Sequence, residues 1–183
     1  MVARGPKRYR PRTSGDAMRS LVDASNGLDE AFCSVSQRTL RALLNDADLL
    51  RDLPPAAVDQ FSRRLLFCDP GDPFGIWVPP WPPGCQTPIH SHHCACAFGV
   101  YRGSLDEVSY ATEPGSDAAI ETARFTRDAG YVGGGSLDSG LVHEMLNTRA
   151  ETAVSVHIYA YRPDRHPDSI EQCFVHQPHA EDI

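Results

Sequence analysis

The chain has 183 residues, 41% apolar and 22% charged, with 17 basic against 24 acidic side chains and a net charge of −7. That length holds one domain whose core needs no disulfide staples, and the balance of apolar and charged residues is that of a soluble globular protein. No run of about 18 apolar residues exists to span a membrane, and the acidic balance argues against nucleic acid as the main partner.

In chain order, MVARGPKRYRPR is basic but lacks the apolar stretch of a secretory signal, so residues 1–16 read as a disordered arm. Without an export signal, the cysteines at 33, 68, 85, 94, 96 and 173 are expected to be reduced, in a cytoplasmic protein. No Cys-x-x-Cys pair is present, which disfavours zinc knuckles and thioredoxin-type redox sites. Residues 17–60 are predicted to be helical: from Met18 to about Leu50, the residues Leu40, Leu43, Leu44, Ala47 and Leu50 recur at spacings of three and four. Ser36 is the predicted cap of that run. Pro54 and Pro55 break it, and a short helix from Ala56 to Phe61 follows with Pro55 in its first turn.

Residues 61–165 have a β texture. LLFCD, FGIWV, TPIHSH, CAFGVYRG, SLDEVSYAT, IETARFT, GYVGGG, GLVHEML and TAVSVHIYAYRP are separated by turn signals such as DPGDP, PPWPPG, EPGSD and NTRAE. Short strands at this spacing predict a sandwich or small barrel. Residues 166–183 read as a polar tail whose apolar patch, QCFVH, is a candidate edge strand.

The chemistry concentrates in PIHSHHCACAFG, where three histidines and two cysteines share seven positions. His90 and His92 sit two apart, so in a strand both imidazoles face one side and can grip one metal, while His93 points the other way. A second strand must supply further ligands, and the candidates are His143 and His157. In an unbroken strand Cys94 and Cys96 would share the face of His90 and His92, so either the segment bulges after His92 or Cys94 lies beside the chemistry. Ser155, His157 and Tyr159 likewise alternate on one strand face.

Glycines frame both histidine segments. G-CQTPI-HSH-HCA-C-AFGVYR-G runs from Gly84 to Gly103, and DSG-LV-H-EML-N from Asp138 to Asn147. These two spacings resemble the paired motifs of the cupins, with Asp138 in place of the expected proline and Cys96 in place of the glutamate ligand. The resemblance implies a mainly β protein, a cupin double-stranded β-helix (jelly-roll barrel) with N-terminal α-helices, and a three-histidine metal site of His90, His92 and His143.

Within the cupins the chain resembles the cysteine dioxygenases. The glutamate is missing, a cysteine stands seven residues before the closing glycine, the late strand reads Ser155-Val156-His157-Ile158-Tyr159, and FSRRLLFCDP matches the early strand that carries a carboxylate-binding arginine. The resemblance implies catalytic roles for Tyr159, His157, Cys96 and Ser155, with Cys96 and Tyr159 as the positions of a thioether link. It also implies substrate binding by Arg63 and Tyr159; spacing alone leaves open whether Arg63 or Arg64 faces the cavity. The implied metal is iron(II), with nickel(II) as the alternative, and dioxygen is the co-substrate. The implied reaction is oxidation of L-cysteine or a close cysteine-like thiol to the sulfinic acid, in a monomer or small homo-oligomer with no nucleic-acid or membrane partner. Two other readings stand beside it: oxidative rearrangement of cysteine, for example to a sulfonamide in natural-product biosynthesis, and a non-catalytic cupin that binds a metal or small ligand. Ala95 stands where related microbial sequences carry an aromatic, which implies a larger pocket. The PPWPPG loop is placed at the barrel mouth, and Glu144 is expected to point away from the ligands.

Overall fold

The computed structural model describes residues 29–51, 62–68, 74–135, 139–161 and 168–178. Helix α1 (Asp29–Leu44) comes first. One sheet then orders as β1 (Leu65–Phe67), β2 (Gly75–Trp77), β10 (Ala153–Tyr159), β5 (Cys96–Arg102) and β8 (Val132–Gly135), with β3 (Pro80–Trp81) also on β10. The other strands close into a barrel ordered β11 (Ile170–His176), β4 (Ile89–His92), β9 (Val142–Leu146), β6 (Ser104–Thr112) and β7 (Ala118–Asp128). The pairings are antiparallel except β11 on β7, which is parallel. Closure removes the unpaired edges that short strands would otherwise expose. No helix among the described residues is long and apolar enough to cross a membrane.

Strand β10 explains why this architecture positions a site. All seven of its residues are buried, so both faces are covered, yet they are covered by different chemistry. Val154, Val156 and Ile158 pack with Phe32, Leu40 and Leu43 of α1, while Ser155, His157 and Tyr159 take the opposite face by the two-residue alternation of a strand. Helix α1 thus acts as the apolar backing of the strand that carries the polar row. Truncating Leu40 or Leu43, both essentially inaccessible, to alanine is expected to cost about 2–5 kcal/mol through the cavity left behind.

Several expectations are corrected here. Ser36 does not cap the helix: α1 runs through it, and its side chain is buried, because the apolar stripe begins at Phe32, a turn earlier than the leucine run suggests. Ala95 does not enlarge the cavity; it is buried in the cluster beneath α1 with Ala97, so its small size serves close helix–strand approach. PPWPPG does line the barrel's cavity, through Pro79 and Trp81, but not purely as a loop, since Trp81 is fully buried within β3. The segment around QCFVH is not an edge: β11 pairs with both β4 and β7. The second helix and Asp138 lie outside the described residues. The six cysteines form no disulfide.

Two motif glycines have a backbone reason. Gly103 turns β5 into β6 at φ 77°, and a Cβ there would approach the Ala153 backbone to 3.1 Å; Gly140, ahead of β9, sits at φ 59°. Both are left-handed conformations that L side chains rarely adopt.

Candidate metal centre

His90 and His92 project from β4, and His143 from the neighbouring β9, where it is the register partner of His90. One nitrogen from each ring lies within 4.8 Å of the others. His90 and His143 are buried and His92 half-buried. Each ring's Nδ1 faces an acceptor: Pro88 O at 2.8 Å for His90, Ser169 O at 3.2 Å for His92, and Glu107 Oε1 at 3.1 Å for His143. Carbonyl and carboxylate oxygens cannot donate, so in the neutral rings the proton resides on Nδ1 and Nε2 is left as a bare lone pair.

The Nε2 atoms of His92 and His143 then face each other at 3.0 Å. Two lone pairs at that separation repel unless a cation lies between them. Nitrogens each about 2.0–2.1 Å from one cation would be roughly this far apart. The donor set therefore fits a divalent metal held by three neutral imidazoles, a set that suits iron, nickel, copper or zinc.

The electrostatics agree. Burial, reinforced by the neighbouring His143, pushes His90 down to about 4 and His92 to about 2. Burial likewise takes His157 to about 3. All three are therefore neutral at pH 7. With the unfolded value near 6.5, the unfolded chain binds more protons than the native one below that pH, so native stability falls with acidification. The metal-free protein is expected to lose melting temperature steadily from about pH 6.5 towards pH 4 and to be flat from pH 7 to 8, as read by thermal unfolding across pH.

Opposite the imidazoles runs a hydrogen-bonded row. Trp81 Nε1 donates to Ser155 Oγ at 2.7 Å. Ser155 Oγ lies 2.8 Å from His157 Nε2, and His157 Nδ1 lies 3.1 Å from Tyr159 Oη. The indole can only donate, so Ser155 Oγ accepts from it. Ser155, His157 and Tyr159 thus form one continuous chain of hydrogen bonds along the strand face. Ser169 also hydrogen-bonds that phenol. Burial, foremost, raises the Tyr159 pKa far above its usual value, so the hydroxyl stays protonated. Ser155→Ala would strand the indole N–H and the facing His157 nitrogen, and is expected to cost about 1–3 kcal/mol, measurable by urea denaturation.

The imidazoles and the row face one cavity of about 130 Å³, lined also by Arg63, Trp77, Phe98 and Met145. Arg63 is therefore the arginine of the pair that reaches the cavity. Its guanidinium lies 3.8 Å from the Asp168 carboxylate. Cys96 also lines the cavity and is the register partner of Tyr159 on the adjacent strand. Burial, only partly offset by a hydrogen bond from the Gly135 backbone, pushes the Cys96 thiol up to about 12.

The sequence model of the family described as cysteine dioxygenase type I matches residues 41–166. The chain belongs to that family. The cysteine dioxygenase match spans the three histidines, Cys96, Arg63 and the Ser155–Tyr159 row, and the family is metal-dependent. Among solved structures, the chain is similar to a Cupin 2 conserved barrel domain protein from Salinispora arenicola, at 19% identity over 62% of this chain and 97% of that one, TM-score 0.44. It is also similar to the cupin domain of Schizosaccharomyces pombe Cnp3, at 19% identity over 62% and 69%, TM-score 0.45.

For this cysteine dioxygenase-family chain, the structure gathers His90, His92, His143, Arg63, Cys96, Ser155, His157 and Tyr159 around or directly behind one cavity. It separates others. β4 ends at His92 and the chain bends at His93 and Cys94 before β5 begins, so Cys94 leaves the ligand face and packs with Trp77, Cys96, Tyr159 and Tyr161. His93 turns to the Asp168 carbonyl, and Glu144 accepts from Tyr110, away from the ligands. Three contributors escape the sequence reading. Trp81 sits in a proline-rich turn signal, and only its pairing with β10 reveals it. Glu107 is a charge in the apolar alternation of SLDEVSYAT, which is the signal that could have found it. Ser169 has no local signal at all and lies beyond the matched span.

Proposed function

We propose that the chain is a thiol dioxygenase that converts L-cysteine, or a close cysteine-like thiol, to the sulfinic acid, using iron(II) and dioxygen. The observation that carries this reading is the convergence of three Nε2 lone pairs, with no carboxylate among them, in the same small cavity as an arginine. Iron(II) held by His90, His92 and His143 would supply dioxygen activation and a positive centre for the substrate sulfur. The sulfinate carries both oxygen atoms, so sulfur furnishes all the electrons and no external reductant is needed.

The chain's own residues divide the remaining work. Arg63 is a planar fork of donors suited to a carboxylate, and it selects an amino or mercapto acid over a plain thiol. Tyr159, held by hydrogen bonds to His157 and Ser169, presents its phenol to the reacting atoms. His157 and Ser155 hold the phenol from behind, and Trp81 tethers Ser155 by donating to its Oγ. Cys96 walls the cavity beside Tyr159, and Trp77, Phe98 and Met145 exclude water. A cavity of about 130 Å³ is close to one of about 150 Å³ known to hold benzene. That is room for a thiol of about the size of one amino acid.

The test is oxygen uptake by the iron-loaded protein with L-cysteine under labelled dioxygen, with mass analysis of the product. Sulfinate carrying two labelled oxygens is expected. A rearranged product, or no uptake by protein that has retained its iron, would overturn the reading.

A further inference from the structure

Glu107 is a buried carboxylate in a protein whose three candidate ligands are all neutral. Burying a carboxylate is costly unless it is paired and hydrogen-bonded, and here each oxygen has a separate partner. Oε2 accepts from Arg127 Nε at 2.8 Å, and Oε1 faces His143 Nδ1 at 3.1 Å. The sheet makes this possible. On one side of β6, Leu105 is opposite Arg127 and Glu107 opposite Phe125; on the other, Ser109 is opposite His143 and Glu107 opposite Met145. Glu107 is thus diagonal to both Arg127 and His143, a separation that a long side chain spans. Arg127 is itself held in place, its guanidinium 4.5 Å from the Phe125 ring centroid and 4.3 Å from that of Tyr131.

We propose that Glu107, whose other oxygen is shared with Arg127, is the positioning residue that sets the metal affinity of this site, returning through His143 the negative charge that the ligand set lacks. His90 and His92 rest on uncharged backbone carbonyls, so among the described residues His143 alone of the three is hydrogen-bonded to a carboxylate. A carboxylate on the far nitrogen of a ligating histidine fixes its orientation and raises its basicity, and losing such a partner typically weakens metal binding about 10–100-fold. The inference rests on the three-histidine metal reading above.

The test titrates cobalt(II) into metal-free protein and follows dissociation constants rather than turnover. Glu107→Gln is expected to weaken cobalt binding about 10–100-fold while keeping the side chain's shape. Arg127→Gln breaks the same ion pair from its other end and leaves Glu107 on His143, so cobalt should bind at least as tightly as to the wild type. Both variants lose the ion pair and should lower the urea midpoint of the metal-free protein; only the first should weaken the metal. Equal weakening by both, or none by Glu107→Gln, would overturn the proposal in favour of a purely structural ion pair. Should Glu107→Gln fail to fold, Arg127→Gln alone decides, because tenfold weaker cobalt binding there contradicts the proposal. In the cobalt-loaded wild type, proton NMR should show three exchangeable paramagnetically shifted N–H signals, and the Arg127 variant should move that of His143 most. Wild-type protein that binds no cobalt would remove the metal reading itself, and this inference with it, whereas cobalt binding indifferent to Glu107 would remove the inference alone.

Discussion

His143→Ala and His90→Ala proteins are expected to lose their metal and, with it, all thiol-dependent oxygen uptake. Each substitution removes one of three nitrogens that meet within 4.8 Å, and the two imidazoles that remain form a weak, open chelate. The loss in affinity should exceed the roughly 10–100-fold seen when only a ligand's hydrogen-bond partner is removed. His143→Ala has a second cost, because it strands one oxygen of the buried Glu107. His93→Ala is the control: its ring bonds the Asp168 carbonyl and packs on Tyr161, so that variant should keep its metal. Elemental analysis after desalting, alongside oxygen-electrode traces, reads both outcomes. Full activity in either ligand variant would refute a three-imidazole centre.

Arg63→Ala is expected to raise KM for a carboxylate-bearing thiol about 30- to 150-fold and to change kcat much less. Removing one partner of a hydrogen-bonded charge pair in a binding site costs roughly 2–5 kcal/mol. The side chain of Arg63 is 28% exposed and already has Asp168 at 3.8 Å, so solvent and that neighbour share its charge and the low end of the range, about 2–3 kcal/mol, applies. Arg63→Lys should recover only part of the loss, since an ammonium offers a point charge and not a fork. Steady-state kinetics with a carboxylate-bearing thiol and with a simple aminothiol checks this. The aminothiol should be handled alike by wild type and variant, and an equal penalty on both substrates would show that Arg63 supports the fold and not the carboxylate.

Much of the site is legible in the chain because its signals are periodic or spaced. His90 and His92 share a face through strand alternation, and so do Ser155, His157 and Tyr159; no knowledge of the neighbours is needed for either statement. The glycines at 103 and 140 frame the two histidine segments in the sequence, and both adopt left-handed turns, one between β5 and β6 and one ahead of β9. Cys94 shows where the alternation argument stops. It assigns Cys94 to the ligand face only if the strand is continuous, and the bend at His93 and Cys94 interrupts it. Ser36 fails for a related reason. A serine before leucines looks like a cap, but Phe32 extends the buried stripe beneath it.

What the sequence by itself determined is the local chemistry: a mainly β chain, two histidines on one strand, a third framed by its own motif, and a serine–histidine–tyrosine alternation. Only the tertiary structure decided which groups complete them. Trp81 ties down the hydrogen-bonded row from 74 residues away, Ser169 holds His92 from 77 away, and Glu107 reaches His143 on the adjacent strand. Orientation of an imidazole or a phenol depends on what its far atom touches. Such contacts come from strand register and barrel closure, which no local pattern of residue types encodes.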